Sequence, residues 1–354
     1  MEKALKCFLA ANSCEGFVSR FGDSYNPYNG WRCYIIKGGP GTGKSSFMKK
    51  VAKTAEEKGQ SFILCPCSSD PDSLDAVILL NQKTVILDGT APHVIDPRYP
   101  AVCEEILNFG QFWDSDKITD KNEIITICDR NKAFHKTAQK YLAAAGQIMH
   151  DTYKTAFNCT KKTEAKAYGE KLCRRYIPQK SGIPYEWEAF LGGITPKGII
   201  AYTDTILNSC ENTVIISDKY RACANIIINE VRNYCLINGY EIITCKNPFL
   251  PSLITDHIVI PSLSLAFVTE DKYFNFNTNV RRIHSRRFTS NKLLHDYAQR
   301  LKLNKKVGES LIKAATDSLA KAKTVHDELE SYYINAMDFE ALNQFAEKLC
   351  KKLF

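Results

Sequence analysis

The chain has no apolar run long enough to cross a bilayer. Its mildly apolar start, Ala4–Ala11, is interrupted by Lys6 and leads to no small-residue cleavage site, so no secretion signal is read. It has no pair of cysteine pairs at zinc spacing: Cys65-Pro66-Cys67 is the one close pair, which argues against a structural metal site. Its 14 cysteines in 354 residues are too dilute for a secreted disulfide scaffold. Most fall in segments that read as strand or helix, as at Cys65, Cys128, Cys173, Cys245 and Cys350. They are expected to be thiols in a reducing compartment, so a cytoplasmic address is expected. A large excess of one charge is also missing. The net charge of +8 permits nucleic acid as a partner without requiring it. With 44% hydrophobic and 24% charged residues the composition excludes disorder. The length suggests two domains and not one.

What is present is a repeat. Phe8-Leu9-Ala10-Ala11-Asn12-Ser13-Cys14-Glu15-Gly16-Phe17-Val18 matches Phe190-Leu191-Gly192-Gly193-Ile194-Thr195-Pro196-Lys197-Gly198-Ile199-Ile200. Tyr34-Ile35-Ile36 then matches Val214-Ile215-Ile216, and the copies run without a gap to Gly59 and Gly239. Asp75–Leu80 meets Asp256–Pro261, His150-Asp151 meets His326-Asp327, and Glu170–Arg175 meets Glu347–Lys352. The matches stay in order at a nearly constant separation. Two units follow, 1–178 and 179–354, joined through the Pro/Gly/Ser-containing stretch Pro178–Pro184.

Each unit has the same coarse pattern. A short apolar strand (Cys33–Lys37; Thr213–Ser217) leads into a helix (Lys44–Lys58; Ala224–Asn238). A second strand follows (Ser61–Cys67; Tyr240–Cys245), then a short segment and a third strand (Thr84–Asp88; Ser264–Thr269). Strands separated by helices predict crossovers and a parallel sheet. Asp120–Arg175 and Asn291–Lys352 are rich in Ala, Lys, Glu and Leu, and nearly free of proline. The predicted fold class is α/β: tandem duplicated units, each a parallel sheet flanked by helices and followed by a helical hairpin or small bundle.

Gly38-Gly39-Pro40-Gly41-Thr42-Gly43-Lys44-Ser45 fits G-x-x-x-x-G-K-[ST] in full, between a strand and a helix. A polyphosphate has to be wrapped by backbone N–H groups, which calls for positive φ angles and no obstructing side chains. The helix that starts near Lys44 points its free N–H groups and positive dipole end at the phosphates. Lys44 is expected to reach the β- and γ-phosphates, Ser45 to ligate Mg²⁺, and Ser46 to add a phosphate contact. In the second copy the slot reads Asp218-Lys219-Tyr220-Arg221-Ala222-Cys223-Ala224-Asn225. Every glycine is gone, Ala224 replaces the lysine, and Asp218 repels phosphate. No nucleotide is expected there.

Val85-Ile86-Leu87-Asp88 is an apolar strand that ends in aspartate, placed to order Mg²⁺ through water. The alternative is a strand-end Asp that caps the turn at Gly89-Thr90. The second copy has Thr269 here, so lysine and carboxylate were lost together. No glutamate follows Asp88, so the water-activating base is unassigned. Asp70 and Asp72 are candidates, and they also suit a helix start: Asp70 as N-cap, Pro71 at the first helical position, Asp72 on the dipole. His93 and Arg98 lie in a loop expected to face the site, with an ordinary turn histidine as the alternative. Arg281-Arg282-Ile283-His284-Ser285-Arg286-Arg287, extended by Lys302, Lys305 and Lys306, is the densest basic region. It reads first as a solvated basic loop; nucleic acid, an acidic partner or an arginine finger are the alternatives.

On these motifs the chain resembles a little-characterised bacterial family of tandem-repeat P-loop ATPases. Gly41–Ser45, Cys67–Asp75, Leu87–His93 and Ile194–Gly198 are similar to its signatures, and the resemblance spans nearly the whole chain. It implies ATP binding with hydrolysis and supplies no substrate. In that family the second half often carries its own P-loop; this sequence departs there. The Pro-Gly-Thr-Gly-Lys core is also similar to that of AAA+ ATPases, without their Asp-Glu pair. The expected activity is Mg²⁺-dependent ATP hydrolysis that drives a change between an intact and a degenerate repeat. The alternatives are a small-molecule or nucleotide kinase, with Asp70 or Asp72 facing the acceptor, and a non-hydrolysing nucleotide-gated module for nucleic acid or protein. No membrane partner is expected.

Overall fold

The computed structural model describes residues 5–354. Residues 1–4, which open the first repeat and include Ala4, lie outside the described residues. In chain order the strands and helices of the first repeat are β1 (Leu5–Lys6), β2 (Ala10–Ser13), β3 (Gly16–Ser19), β4 (Arg32–Lys37), α1 (Lys44–Glu57), β5 (Phe62–Pro66), β6 (Leu74–Leu79), β7 (Thr84–Asp88), β8 (Glu104–Asn108), α2 (Lys121–Asn158) and α3 (Lys162–Tyr176). The second repeat supplies β9 (Tyr185–Ala189), β10 (Gly192–Thr195), β11 (Gly198–Ala201), α4 (Thr203–Ser209), β12 (Asn212–Ser217), α5 (Ala222–Ile237), β13 (Glu241–Lys246), β14 (Thr255–Ile260), β15 (Leu265–Glu270), β16 (Arg282–His284), α6 (Asn291–Asp296), α7 (Ala298–Ile334) and α8 (Phe339–Leu353).

These form two six-stranded sheets of the same order, β1-β5-β6-β7-β4-β8 and β9-β13-β14-β15-β12-β16. The expected parallel sheet is corrected to a mixed one: β6 and β14 each run antiparallel to both neighbours. A helical crossover separates β4 from β5, and β12 from β13, but none stands between β5 and β7 or between β13 and β15. The connections at 67–73 and 80–83 are too short to carry the chain back across the sheet, so β5-β6-β7 is a meander. The "short segment" between the second and third strands is itself a fully buried strand.

Alternate residues of the strands divide between two cores. Cys33 and Ile35 of β4 face a core shared with Ile215, Ile243 and Val268 of the second sheet. Tyr34 and Ile36 face the opposite way, onto Phe47, Met48 and Val51 of α1. The two sheets therefore lie face to face, with helices on both outer surfaces. At the junction the equivalent residues Phe8 and Phe190 exchange both backbone hydrogen bonds, at 2.7 and 2.8 Å. The hairpins β2–β3 and β10–β11 repeat the same turn. Ser13 Oγ donates to the Gly16 carbonyl at 2.9 Å, and Thr195 Oγ1 to that of Gly198 at 2.8 Å.

The long helices do not stay within their own repeats. Instead of a local hairpin with α3, α2 packs along the whole of α7 in antiparallel sense. Arg130 pairs with Glu328 at one end, Arg300 Nε with Asp151 Oδ2 at 2.9 Å at the other, and Asn131 Nδ2 bonds the Ala322 carbonyl at 2.7 Å. The terminal helices are exchanged as well. Leu342, Ala346, Leu349 and Cys350 of α8 pack on the α1 side of the first sheet. Ala165, Leu172 and Cys173 of α3 pack on α5 of the second. Amphipathic periodicity shows that a helix has an apolar face and is silent on which sheet that face covers.

All fourteen cysteines are free. Among the described residues no helix is long and apolar enough to cross a membrane. The basic run lies at an edge of the second sheet, where β16 pairs with β12. Arg282 is consumed internally by Glu270, 3.0 Å away, and Arg287 lies over Tyr168. Arg282 also donates to the carbonyls of Thr278 (2.5 Å) and Val280 (2.9 Å).

Candidate functional site

The glycine loop connects the C-terminal end of β4 to the N-terminus of α1. Gly41 and Gly43 have φ of 67° and 78°, a region that a side chain disfavours, and Gly43 stands directly before the first helical residue. Thr42 Oγ1 donates to the Gly39 carbonyl at 2.8 Å and tightens the turn. Lys44 curls back over the loop: its Nζ donates to the carbonyls of Gly38 (3.1 Å) and Gly39 (2.7 Å), and lies 3.6 Å from Asp88 Oδ2. β4 and β7 are parallel neighbours with Ile36 opposite Asp88, which sets lysine and aspartate side by side. Ser45 Oγ accepts the Leu74 N–H at 2.9 Å, and Ser46 is exposed.

Asp88 is buried at the end of β7, where its Oδ1 accepts from the Thr90 N–H (2.9 Å) and hydroxyl (2.6 Å). The turn-capping contact and the approach to Lys44 thus fall on one side chain. The following loop is held down by Lys37, whose Nζ donates to the carbonyls of Gly89 (2.9 Å) and Ile95 (2.6 Å). This brings His93 inward, buried and stacked on Phe21 at 4.5 Å. Burial pulls the His93 pKa down to about 4, so it is neutral at physiological pH. Beside it is Asp75, the second residue of β6. Burial, and then the nearby Asp88 charge, push its pKa up to about 7. Sequence reasoning assigned Asp75 no role. The available signal was that both copies keep a carboxylate here, as Asp75 and Asp256.

The other candidates are not brought in. Asp72 is exposed and pairs with Lys197 at 2.5 Å, which holds its carboxyl below the usual range. Asp70 accepts from Ser73 Oγ at 2.8 Å, beside Lys323 of α7 at 3.5 Å. It closes a turn that leads into a strand, where a helix start was expected. Arg98 pairs with Glu104, 3.6 Å away. Residues from the far end of the chain stand in their place. Glu330 Oε1 of α7 accepts the Gly41 N–H at 3.3 Å, and His326 lies 3.5 Å from the same carboxylate oxygen. A Cβ on Gly39 would meet the Trp113 ring at 2.9 Å, and one on Gly43 would meet Leu342 of α8 at 2.9 Å. The loop is therefore covered by α7, α8 and Trp113. Cavities of about 490 and 340 Å³ elsewhere in the molecule do not reach it.

The degenerate slot keeps the frame and fills it from within. Asn225 Oδ1 accepts the Thr255 N–H at 3.0 Å, the counterpart of the Ser45–Leu74 bond. The Asp218 carboxylate accepts the N–H groups of Tyr220 (3.1 Å), Cys223 (2.9 Å) and Ala224 (3.0 Å). A side-chain anion therefore sits at the start of α5, where an external anion would otherwise bind. Arg221, at φ 61°, pairs with Asp256 at 2.9 Å and Asp271 at 2.7 Å. The cavity of about 340 Å³ adjoins this slot, between the α2–α7 arm and the second sheet.

No protein-family model, curated protein or solved structure matches the chain.

Proposed function

We propose that the chain is an ATP-binding P-loop ATPase with one nucleotide site, at Gly38–Ser46, whose Mg²⁺-dependent hydrolysis drives movement between the repeats. One observation carries this. A loop with two left-handed glycines joins a buried parallel strand to a helix N-terminus, with its lysine beside the strand-end aspartate of the neighbouring strand. Main-chain N–H groups of residues 39 and 41–45 would bind the phosphates, and Lys44 would leave the Gly38 and Gly39 carbonyls for the β- and γ-oxygens. Ser45 and Asp88 fit Mg²⁺: a hydroxyl at the helix start and a buried carboxylate at the end of the adjoining strand. When bound, Mg²⁺ supplies charge neutralisation at the transferring phosphoryl group. Buried Asp75 and neutral His93 stand beside Asp88 at the same end of the sheet. The Glu330 contact ties the same loop to α7, and so to the arm that reaches the second repeat.

The test is phosphate release from ATP by the full chain with Mg²⁺, alone and with added acceptors, beside Lys44→Ala. Release without an acceptor, lost in the variant, is expected. Transfer only to an acceptor identifies a kinase; tight binding without turnover identifies a gated module. ATP affinity unchanged by Lys44→Ala would refute the site itself.

A further inference from the structure

Asp75, Asp88 and His93 reach one point from three segments: β6, the end of β7 and the turn after it. Each offers a ligand atom, and the three atoms lie within 4.8 Å of one another. All three residues are more than nine-tenths buried. Neither nitrogen of His93 has a hydrogen-bond partner. Its ring stacks on Phe21, at 4.5 Å, and on Phe17, at 5.9 Å, which sets the plane in which its nitrogens lie. An unsatisfied buried imidazole and two facing buried carboxylates are each costly arrangements. Lys44 offsets them only in part: its ammonium already serves two carbonyls and lies 3.6 Å from Asp88, while Asp75 has the Cys67 thiol as its hydrogen-bond partner.

We propose that Asp75, Asp88 and His93 form a protein-held site for one divalent first-row transition ion, loaded without nucleotide. An imidazole nitrogen with two carboxylate oxygens suits Mn²⁺, Fe²⁺, Co²⁺ or Zn²⁺; Mg²⁺ prefers an all-oxygen, largely hydrated shell. Ligand bonds of about 2.1 Å place neighbouring ligand atoms about 3.0–3.4 Å apart, so the three groups close in on the ion as it binds. This ion is held without nucleotide and shares only Asp88 with the Mg²⁺ expected to arrive with the triphosphate at Ser45. Its binding does not depend on the nucleotide reading.

The experiment uses the full chain, stripped with chelator and titrated with Mn²⁺ in the absence of nucleotide. Paramagnetic resonance reads bound Mn²⁺ and any coupling to ¹⁴N. One Mn²⁺ per chain is expected, with ¹⁴N coupling, persisting in a large excess of Mg²⁺. His93→Ala should abolish the coupling, and His93→Ala and Asp75→Asn should each weaken binding at least tenfold. Mn²⁺ should raise the melting temperature of the wild type, a readout that needs no variant to fold. Lys44→Ala should bind Mn²⁺ at least as well as the wild type, which separates this site from the nucleotide site. No binding without ATP, binding without ¹⁴N coupling, or full displacement by Mg²⁺ would each overturn the proposal.

Discussion

Glu330 Oε1 accepts the N–H of Gly41 at 3.3 Å, across 289 residues of sequence. A carboxylate of the long arm thus occupies a main-chain donor that a phosphate would need. Glu330→Gln should tighten ATP binding about two- to fivefold, as expected for removing one competing anion worth ~0.3–1 kcal/mol at a helix N-terminus. Titration with a fluorescent ATP analogue measures it; weaker binding would show that the carboxylate assists the nucleotide.

Gly146 of α2 and Gly308 of α7 both lie mid-helix, in opposite circumstances. A Cβ on Gly146 would fall 2.1 Å from Cys14 Cβ, whereas on Gly308 the nearest atom is 3.9 Å away. Gly146→Ala should destabilise by about 1–3 kcal/mol through overpacking. Gly308→Ala should stabilise by up to about 1 kcal/mol through helix propensity. Urea denaturation of the pair checks both signs.

His257 is fully buried, and burial followed by the Arg221 charge pulls its pKa down to about 3. Its Nδ1 accepts the Thr269 N–H at 3.2 Å, so the folded form requires the neutral ring. A depressed folded pKa contributes stability that is present above about 6.5 and lost as pH falls toward 3. Each unit in that window should cost up to about 1.4 kcal/mol. His257→Gln should flatten the fall in melting temperature between pH 6 and 4; an unchanged slope would assign the acid sensitivity to other groups.

Arg221→Met should cost about 3–5 kcal/mol, because it leaves Asp256 and Asp271 buried without their cation. Adding Asp256→Asn and Asp271→Asn to the same variant should recover most of the loss. Calorimetry of the single and triple variants decides; a triple variant no better than the single would place the loss in packing.

The strand, glycine loop and helix around Lys44 were legible because each is a local signal: an apolar run, the glycines, the amphipathic stripe. Asp88 was legible because β7 is a clean apolar strand with a polar end. The duplication was legible through paired motifs such as those at Phe8 and Phe190. The direction of β6 was not, because a buried apolar strand carries no mark of its orientation; only the shortness of the turns at 67–73 and 80–83 decides it. Asp75 was aligned with Asp256 and still passed over, since a strand interior does not advertise a site. Glu330 sits among the ordinary charges of a helix, and its partner lies in the other repeat.

Because α8 completes the outer layer of the first sheet, synthesis order and folding order cannot coincide. A ribosome delivers residues 5–108 long before 339–353, so Val51, Leu79 and Ile86 must wait with one flank open to solvent. The helix α3 waits in the reverse sense, made before the α5 surface it is to cover. A chain stopped at 178 would expose both flanks at once, and one stopped at 338 would still expose the first.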